Sequence, residues 1–263
     1  MKLDEVTISR AIIQRYMDEL QDYLDVDVAI TGGGPSGLMA AYDLARNGAK
    51  VTLIDEKLSI GGGIWGGGMM FNKIVVQEEG KGILNDLEIR HDEYKNGYYI
   101  ADSINVAAKL IAKATDAGAR VFNLICAEDL VVHNDRVSGL VLNWGPIIKS
   151  GLHVDPLVLR SKYVIDATGH PAALLSILTE KMGAKINTPT GKVAGEKSMF
   201  ALEGERDVVA NTQEVYPGII VTGMAANAAF GSHRMGPVFG GMLLSGRKGA
   251  QLILESLAGS LQK

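Results

Sequence analysis

One run of residues constrains the fold of this chain more than anything else in it. Residues 27–56 read as strand, glycine turn, helix and strand: Val-Asp-Val-Ala-Ile-Thr, then Gly32-Gly33-Gly34-Pro35-Ser36-Gly37, then Val51-Thr52-Leu53-Ile54-Asp55-Glu56. This is the dinucleotide fingerprint in its full context. Gly32 makes the tight turn, Gly34 lets a pyrophosphate approach the backbone, and Gly37 lets helix and strand pack closely. Phosphates would meet free N–H groups at the helix N-terminus, where the dipole favours negative charge. Ser36 offers a hydroxyl, and Glu56, placed at the second strand's end, offers a carboxylate to a ribose hydroxyl. The motif leaves open whether the dinucleotide is a hydride carrier, a flavin or a substrate.

The rest of the composition narrows the class. At 263 residues the chain can build one large α/β domain. A formal net charge of −4 and the lack of any basic run argue against nucleic acid and against a membrane surface. No apolar run reaches bilayer length. Met1-Lys2-Leu3-Asp4-Glu5 lacks the apolar core of a signal peptide, and the single Cys126 excludes an intramolecular disulfide, so a cytoplasmic protein is expected. Glycine stands out at 32 residues, against a usual share of about 7%.

The periodicity predicts an N-terminal helical arm over residues 1–24, with Val6, Ile13, Met17, Leu20 and Leu24 near one stripe; it either packs over the sheet or contacts another subunit. One dinucleotide-binding α/β domain follows over 25–263. Strands are predicted at 27–31, 50–55, 121–125, 163–166 and 218–222, and helices at 36–47, 79–88, 103–117, 171–184 and 240–258. Residues 128–160 read as an antiparallel insertion: a hairpin turned at Asn134-Asp135-Arg136, then a third stretch around 149–160. The region 186–213 reads as irregular with short elements.

Three segments add chemistry. Gly61–Gly63 and Gly66–Gly68 enclose Ile64-Trp65 in what reads as a loop bent closely around a ligand, the alternative being a flexible surface loop. His153, Asp155 and His170 are the residue types of a non-haem iron site. If 152–156 is extended, His153 and Asp155 share a face. The alternative is a surface histidine and a strand-end histidine. Arg234, in a loop rich in glycine and proline, either clamps a small carboxylate with its planar fork or is a surface charge. Where flavin folds carry a Gly-Asp pair, this chain has Gly223-Met224, which speaks against FAD.

Taken with Asp-Ala-Thr-Gly-His at 166–170 and Arg-Met-Gly-Pro-Val-Phe-Gly-Gly-Met at 234–242, these motifs resemble the thiamine thiazole synthases over nearly the whole chain. The resemblance implies a Rossmann-like fold of the glutathione-reductase type and an enzyme of thiamine biosynthesis. NAD would be a substrate: it loses nicotinamide, its ribose rearranges, glycine condenses and sulfur closes an ADP-linked thiazole carboxylate. Members that sacrifice their own cysteine carry it near the Gly-His turn. Residues 161–185 contain none here, so the resemblance is to the archaeal and bacterial members that use free sulfide and Fe(2+). It implies Asp155 and His170 as iron ligands, from adjacent subunits of a homo-octamer, with His153 nearby and these three carrying the catalysis. Ser36, Glu56, Lys57, Gly63, Ala127 and Met224 would line the NAD or product site, and Arg234 would bind glycine. No FAD, nucleic-acid or membrane partner is expected. Many relatives carry an acid just after Gly169-His170, where this chain has Pro171-Ala172-Ala173; Asp166 is one residue that could orient His170 instead. The competing readings are an FAD-dependent oxidoreductase, a ribose-phosphate isomerase and a non-catalytic dinucleotide-binding module.

Overall fold

The computed structural model describes residues 3–260. The arm is helix α1 (Glu5–Asp22), opened by Asp4, whose carboxylate accepts the Thr7 N–H at 2.7 Å. It reaches the body only near its C-terminal end, through Tyr16 and Leu20 with Tyr23 just beyond. Val6, Ile8, Ile12, Ile13 and Met17 stay exposed.

The fingerprint folds as expected into β1 (Asp25–Thr31), α2 (Pro35–Arg46) and β2 (Val51–Asp55). A single 3₁₀ turn, Gly62–Gly66, interrupts the glycine loop. Next come β3 (Lys73–Gln77), α3 (Glu78–Asp86), β4 (His91–Lys95), β5 (Tyr98–Asp102) and α4 (Ser103–Asp116). β3, β5 and β4 form a separate antiparallel sheet that the sequence reading did not anticipate. The expected strand at 121–125 is divided: β6 spans Arg120–Asn123, Leu124 adopts φ 59°, and β7 (Ile125–His133) starts afresh. β8 (Arg136–Trp144) completes the hairpin.

The third antiparallel stretch is not where the sequence suggested. Residues 145–150 form α5 (Gly145–Ser150), ended by Gly151 in the left-handed region, and 151–156 are irregular. The strand starts only after Pro156, which lacks the N–H a ladder needs. This β9 (Leu157–Asp166) serves three partners: β8 antiparallel over its first part, β1 parallel along most of its length, and the strand Ile219–Val221 parallel over its last residues. The hairpin is thus an outgrowth of the main sheet. After β9 come α6 (Ala173–Ser176), a wider turn Ile177–Lys181, and α7 (Ala201–Ala210), a helix inside a stretch expected to be irregular with short elements. The chain finishes with β10 (Gln213–Tyr216), β11 (Ile219–Val221), α8 (Met224–Phe230) and α9 (Gly240–Ser260).

The main sheet runs β10-β11-β9-β1-β2-β6, parallel except for β10. Its strands are buried on both faces, and the side chains alternate accordingly. Val28, Ile30 and Leu53 join α2, α4 and α9 in one core; Ala29, Ile54 and Val164 join the hairpin, α6 and α8 in the other. Among the described residues no helix is long and apolar enough to cross a membrane.

Candidate active site

The C-terminal ends of β1, β2 and β9 open into one cavity of about 950 Å³, the edge at which open α/β sheets bind ligands. Its floor is the glycine turn. Gly32 has φ 104°, and an added Cβ would overlap the Ala167 carbonyl oxygen, so β1 and the end of β9 touch only because no side chain intervenes. Asp55 pins the turn from β2: its carboxylate accepts Gly33 N–H at 2.7 Å and Lys57 N–H at 2.8 Å. The next residue, Glu56, lines the cavity and makes no hydrogen bond or ion pair among the described residues. The two acids at the end of β2 thus divide the work, Asp55 holding the turn and Glu56 left free for a ligand. No side chain caps α2. Gly34 and Ser36 at its start line the cavity, and the amides of that turn remain available to an anion.

The glycine loop forms one wall. Trp65 folds inward, its indole N–H donating to Ile60 O at 2.7 Å, while Asn72 and Ser103 both donate to Trp65 O. Beyond Gly67 and Gly68 the backbone is left-handed at Met69, Met70 and Asn72, three non-glycine residues, a costly conformation that clusters at ligand-binding loops. Met69 and Phe71 line the cavity mouth and are largely exposed.

The opposite wall carries His170 and Arg234. Asp166, fully buried at the end of β9, accepts the amides of Thr168, Leu174 and Leu175 and the Thr168 hydroxyl, fixing the turn that presents His170. Burial pushes its carboxyl upward and those hydrogen bonds oppose the shift. Asp166 does not touch His170, contrary to one expectation. His170 Nδ1 instead meets both carboxylate oxygens of Glu196, at 2.8 and 2.7 Å. Arg234 approaches the same carboxylate, its Nε 3.8 Å from Glu196 Oε2. The sequence reading missed Glu196. Its only local sign is a lone acid after Gly195, because its position depends on a backbone bridge between Lys197 and His233.

Ser36, Glu56, Lys57, Gly63, Ala127, Met224, Arg234 and His170 therefore all line one cavity. His153 and Asp155 do not; they sit exposed on the irregular 151–156 loop, which Asn143 anchors by donating to Val154 O at 3.0 Å. Residues 152–156, whose extension would align them, belong to no strand. Cys126 lines the cavity near its Glu56 side, and burial, aided by Glu56 and Glu128, pushes its thiol upward, away from thiolate chemistry.

A histidine held from behind by a carboxylate is the arrangement of a metal-ligating imidazole, and imidazole with carboxylate suits Fe(II). Among the described residues no group of three or more His, Cys, Asp or Glu side chains is gathered for a metal. The donor set fits an iron site that this chain's cavity furnishes only in part.

Known proteins share this architecture. The profile of the Thi4 family matches residues 9–239. The thiamine thiazole synthase of Methanothermobacter thermautotrophicus is 54% identical over 257 residues, covering 98% of this chain and all of that protein. That of Pyrococcus abyssi is 56% identical over 255 residues, covering 97% and 99%. The crystal structure of Thermovibrio ammonificans THI4 superposes with a TM-score of 0.97 at 53% identity, covering 98% of this chain and all of that one.

Proposed function

Because this chain belongs to the Thi4 family and is a thiazole-forming enzyme of thiamine biosynthesis, we propose that it makes an ADP-linked 5-ethyl-4-methylthiazole-2-carboxylate from NAD, glycine and sulfide with Fe(2+), in the cytoplasm, as a homo-octamer. One observation carries the reading. The cradle for a dinucleotide and the two groups suited to a metal and a carboxylate, His170 and Arg234, open into the same cavity. The dinucleotide is then the substrate and no FAD is held.

In this reading the α2 N-terminus and Ser36 hold the ADP phosphates, and Glu56 accepts from the adenosine ribose. The finer fold type, glutathione-reductase-like, accords with β7 and β8 branching off β9 beside that cradle. Arg234 takes the glycine carboxylate with the terminal nitrogens that Glu196 leaves free. His170 and Asp155 hold the iron, Asp155 being contributed by an adjacent subunit with His153 beside it. Bound there, Fe(II) supplies Lewis-acid polarisation of substrate oxygen and sulfur. The ring opening, enolisations and dehydrations each need a proton moved, and His153 is the imidazole free to shuttle it. The glycine loop excludes water from the imine.

The sulfur source gives the cleanest support. The single cysteine, Cys126, lies outside residues 161–185, where the members that give up their own sulfur carry theirs, and burial pushes its thiol upward; both favour a sulfur source outside the chain. An anaerobic reaction with NAD, glycine, sulfide and Fe(II), followed by mass spectrometry of released small molecules, tests the proposal. Repeated turnover to an ADP-thiazole is expected, with Cys126→Ala unimpaired. Released FAD, NAD returned intact, or dependence on Cys126 would overturn it.

A further inference from the structure

Glu196 is held more firmly than either of the two cavity residues it meets. Its side chain is only 11% exposed, whereas those of His170 and Arg234 are 54% and 55% exposed. It does not line the cavity but stands behind both residues that do. Its backbone is pinned on two sides. Gly195 N–H donates to Ala228 O at 2.9 Å, and Lys197 N–H donates to Ser232 O at 2.9 Å. Arg234 N–H returns to Lys197 O at 3.3 Å. The segment carrying the acid and the segment carrying the arginine are therefore laced together.

We propose that Glu196 is a positioning residue that sets both reactive side chains at once, holding the His170 proton on Nδ1 and bracing Arg234 through Nε. A carboxylate only accepts, so the ring nitrogen 2.7–2.8 Å from it must donate. Nε2 is then the free lone pair, the atom that a metal or a proton can use. Binding Arg234 at Nε leaves its two terminal nitrogens for a planar carboxylate. One residue thus fixes the distance between the two halves of the chemistry, and the chain needs no acid in the Pro171-Ala172-Ala173 segment to hold its histidine. The inference rests on the assignment of His170 to iron and Arg234 to glycine.

The test uses the full-length, assembled protein without metal, labelled at histidine, with His170→Asn identifying the His170 signals by nitrogen NMR. In the wild type the protonated ring nitrogen of His170 is Nδ1; in Glu196→Ala the proton shifts to Nε2. Glu196→Ala also weakens Fe(II) binding ten- to a hundredfold, the usual cost of losing the partner behind a ligating histidine. It raises KM for glycine with a smaller change in kcat. Glu196→Gln keeps the shape and accepts from Nδ1 through its amide oxygen, so it retains the tautomer while the glycine KM stays raised. A residue that merely fills space would shift Tm and leave these readouts alone. A wild-type His170 protonated on Nε2, or a Glu196→Ala variant with unchanged tautomer and glycine KM, overturns the inference. Separately, His170→Asn binding Fe(II) as tightly as the wild type would remove His170 from the iron site, and the tautomer and glycine measurements would still decide Glu196.

Discussion

The two ends of the cavity are built in different ways. At the dinucleotide end, the turn at Gly32–Gly37, the Asp55 brace and the start of α2 come from about thirty consecutive residues, and each piece is held by the next. At the chemical end, His170, Glu196 and Arg234 come from three distant segments and the two facing the cavity are half exposed. Asp155 and His153 lie outside the cavity altogether. The first end is finished within one chain. The second is not assembled in the same way, and apolar residues along α1 and along 152–158 are exposed.

The largest effect should come from breaking the unfinished end. His170→Ala and Asp155→Ala each lower thiazole formation by on the order of 10³-fold or more, the several kcal/mol a metal supplies, with the circular dichroism spectrum and Tm retained. Mixing the two inactive variants during reassembly separates the models of the site. If His170 and Asp155 serve one centre from adjacent subunits, a one-to-one mixture regains about a quarter of wild-type activity, because a quarter of the interfaces then carry both intact residues. A mixture as inactive as its parts removes the shared site.

The same contrast explains what could be read from the sequence. The fingerprint was legible because a parallel strand, a tight turn and a helix start are local, and glycine spacing reports them directly. The small sheet was not. His91-Asp92-Glu93-Tyr94-Lys95 is a charged edge strand with no apolar alternation, and its identity comes only from pairing with Tyr98–Asp102. Residues 152–156 form no strand for a nameable reason: Gly151 ends α5 and β9 begins only after Pro156. Glu196 was invisible because its position is set by a bridge across 36 residues, from Lys197 to His233, and no period records such a contact.

Two glycines sharpen the comparison at the level of stability. Gly32 and Gly169 both have positive φ, 104° and 80°. At Gly32 an added Cβ strikes the Ala167 carbonyl, whereas at Gly169 nothing lies within 4 Å. Gly32→Ala therefore combines backbone strain with overlap and should cost about 3 kcal/mol or more, abolishing NAD binding. Gly169→Ala carries the strain alone and should cost about 1 kcal/mol. Equal losses of Tm would mean that the dinucleotide end is no more tightly packed than the chemical end.

The smallest of these effects concerns the brace behind the Arg234 wall. Residues 234–239 lead into α9, and Glu205 of α7 accepts the Gly241 N–H at its first turn, at 2.6 Å. Burial pushes this carboxyl from 4.5 up to about 7, against the opposing Gly241 N–H and Gln77 amide, with Glu79 adding to the rise. Glu205 Oε1 and Gln77 Oε1 are both buried without a partner, which a proton on Glu205 would relieve. A raised folded value means that the folded state binds more protons than the unfolded one between pH 4.5 and 7. This contribution is therefore complete below pH 4.5, declines as pH rises towards 7, and is gone above it. The interval corresponds to at most about 3 kcal/mol, and solvent access makes about 1–2 kcal/mol the better expectation. Glu205→Gln keeps the acceptor for Gly241, supplies a donor in place of the proton, and cannot ionise. Its Tm should exceed that of the wild type at pH 8 and match it at pH 5. An advantage of the same size at both values would show that packing, not ionisation, sets the strength of this wall.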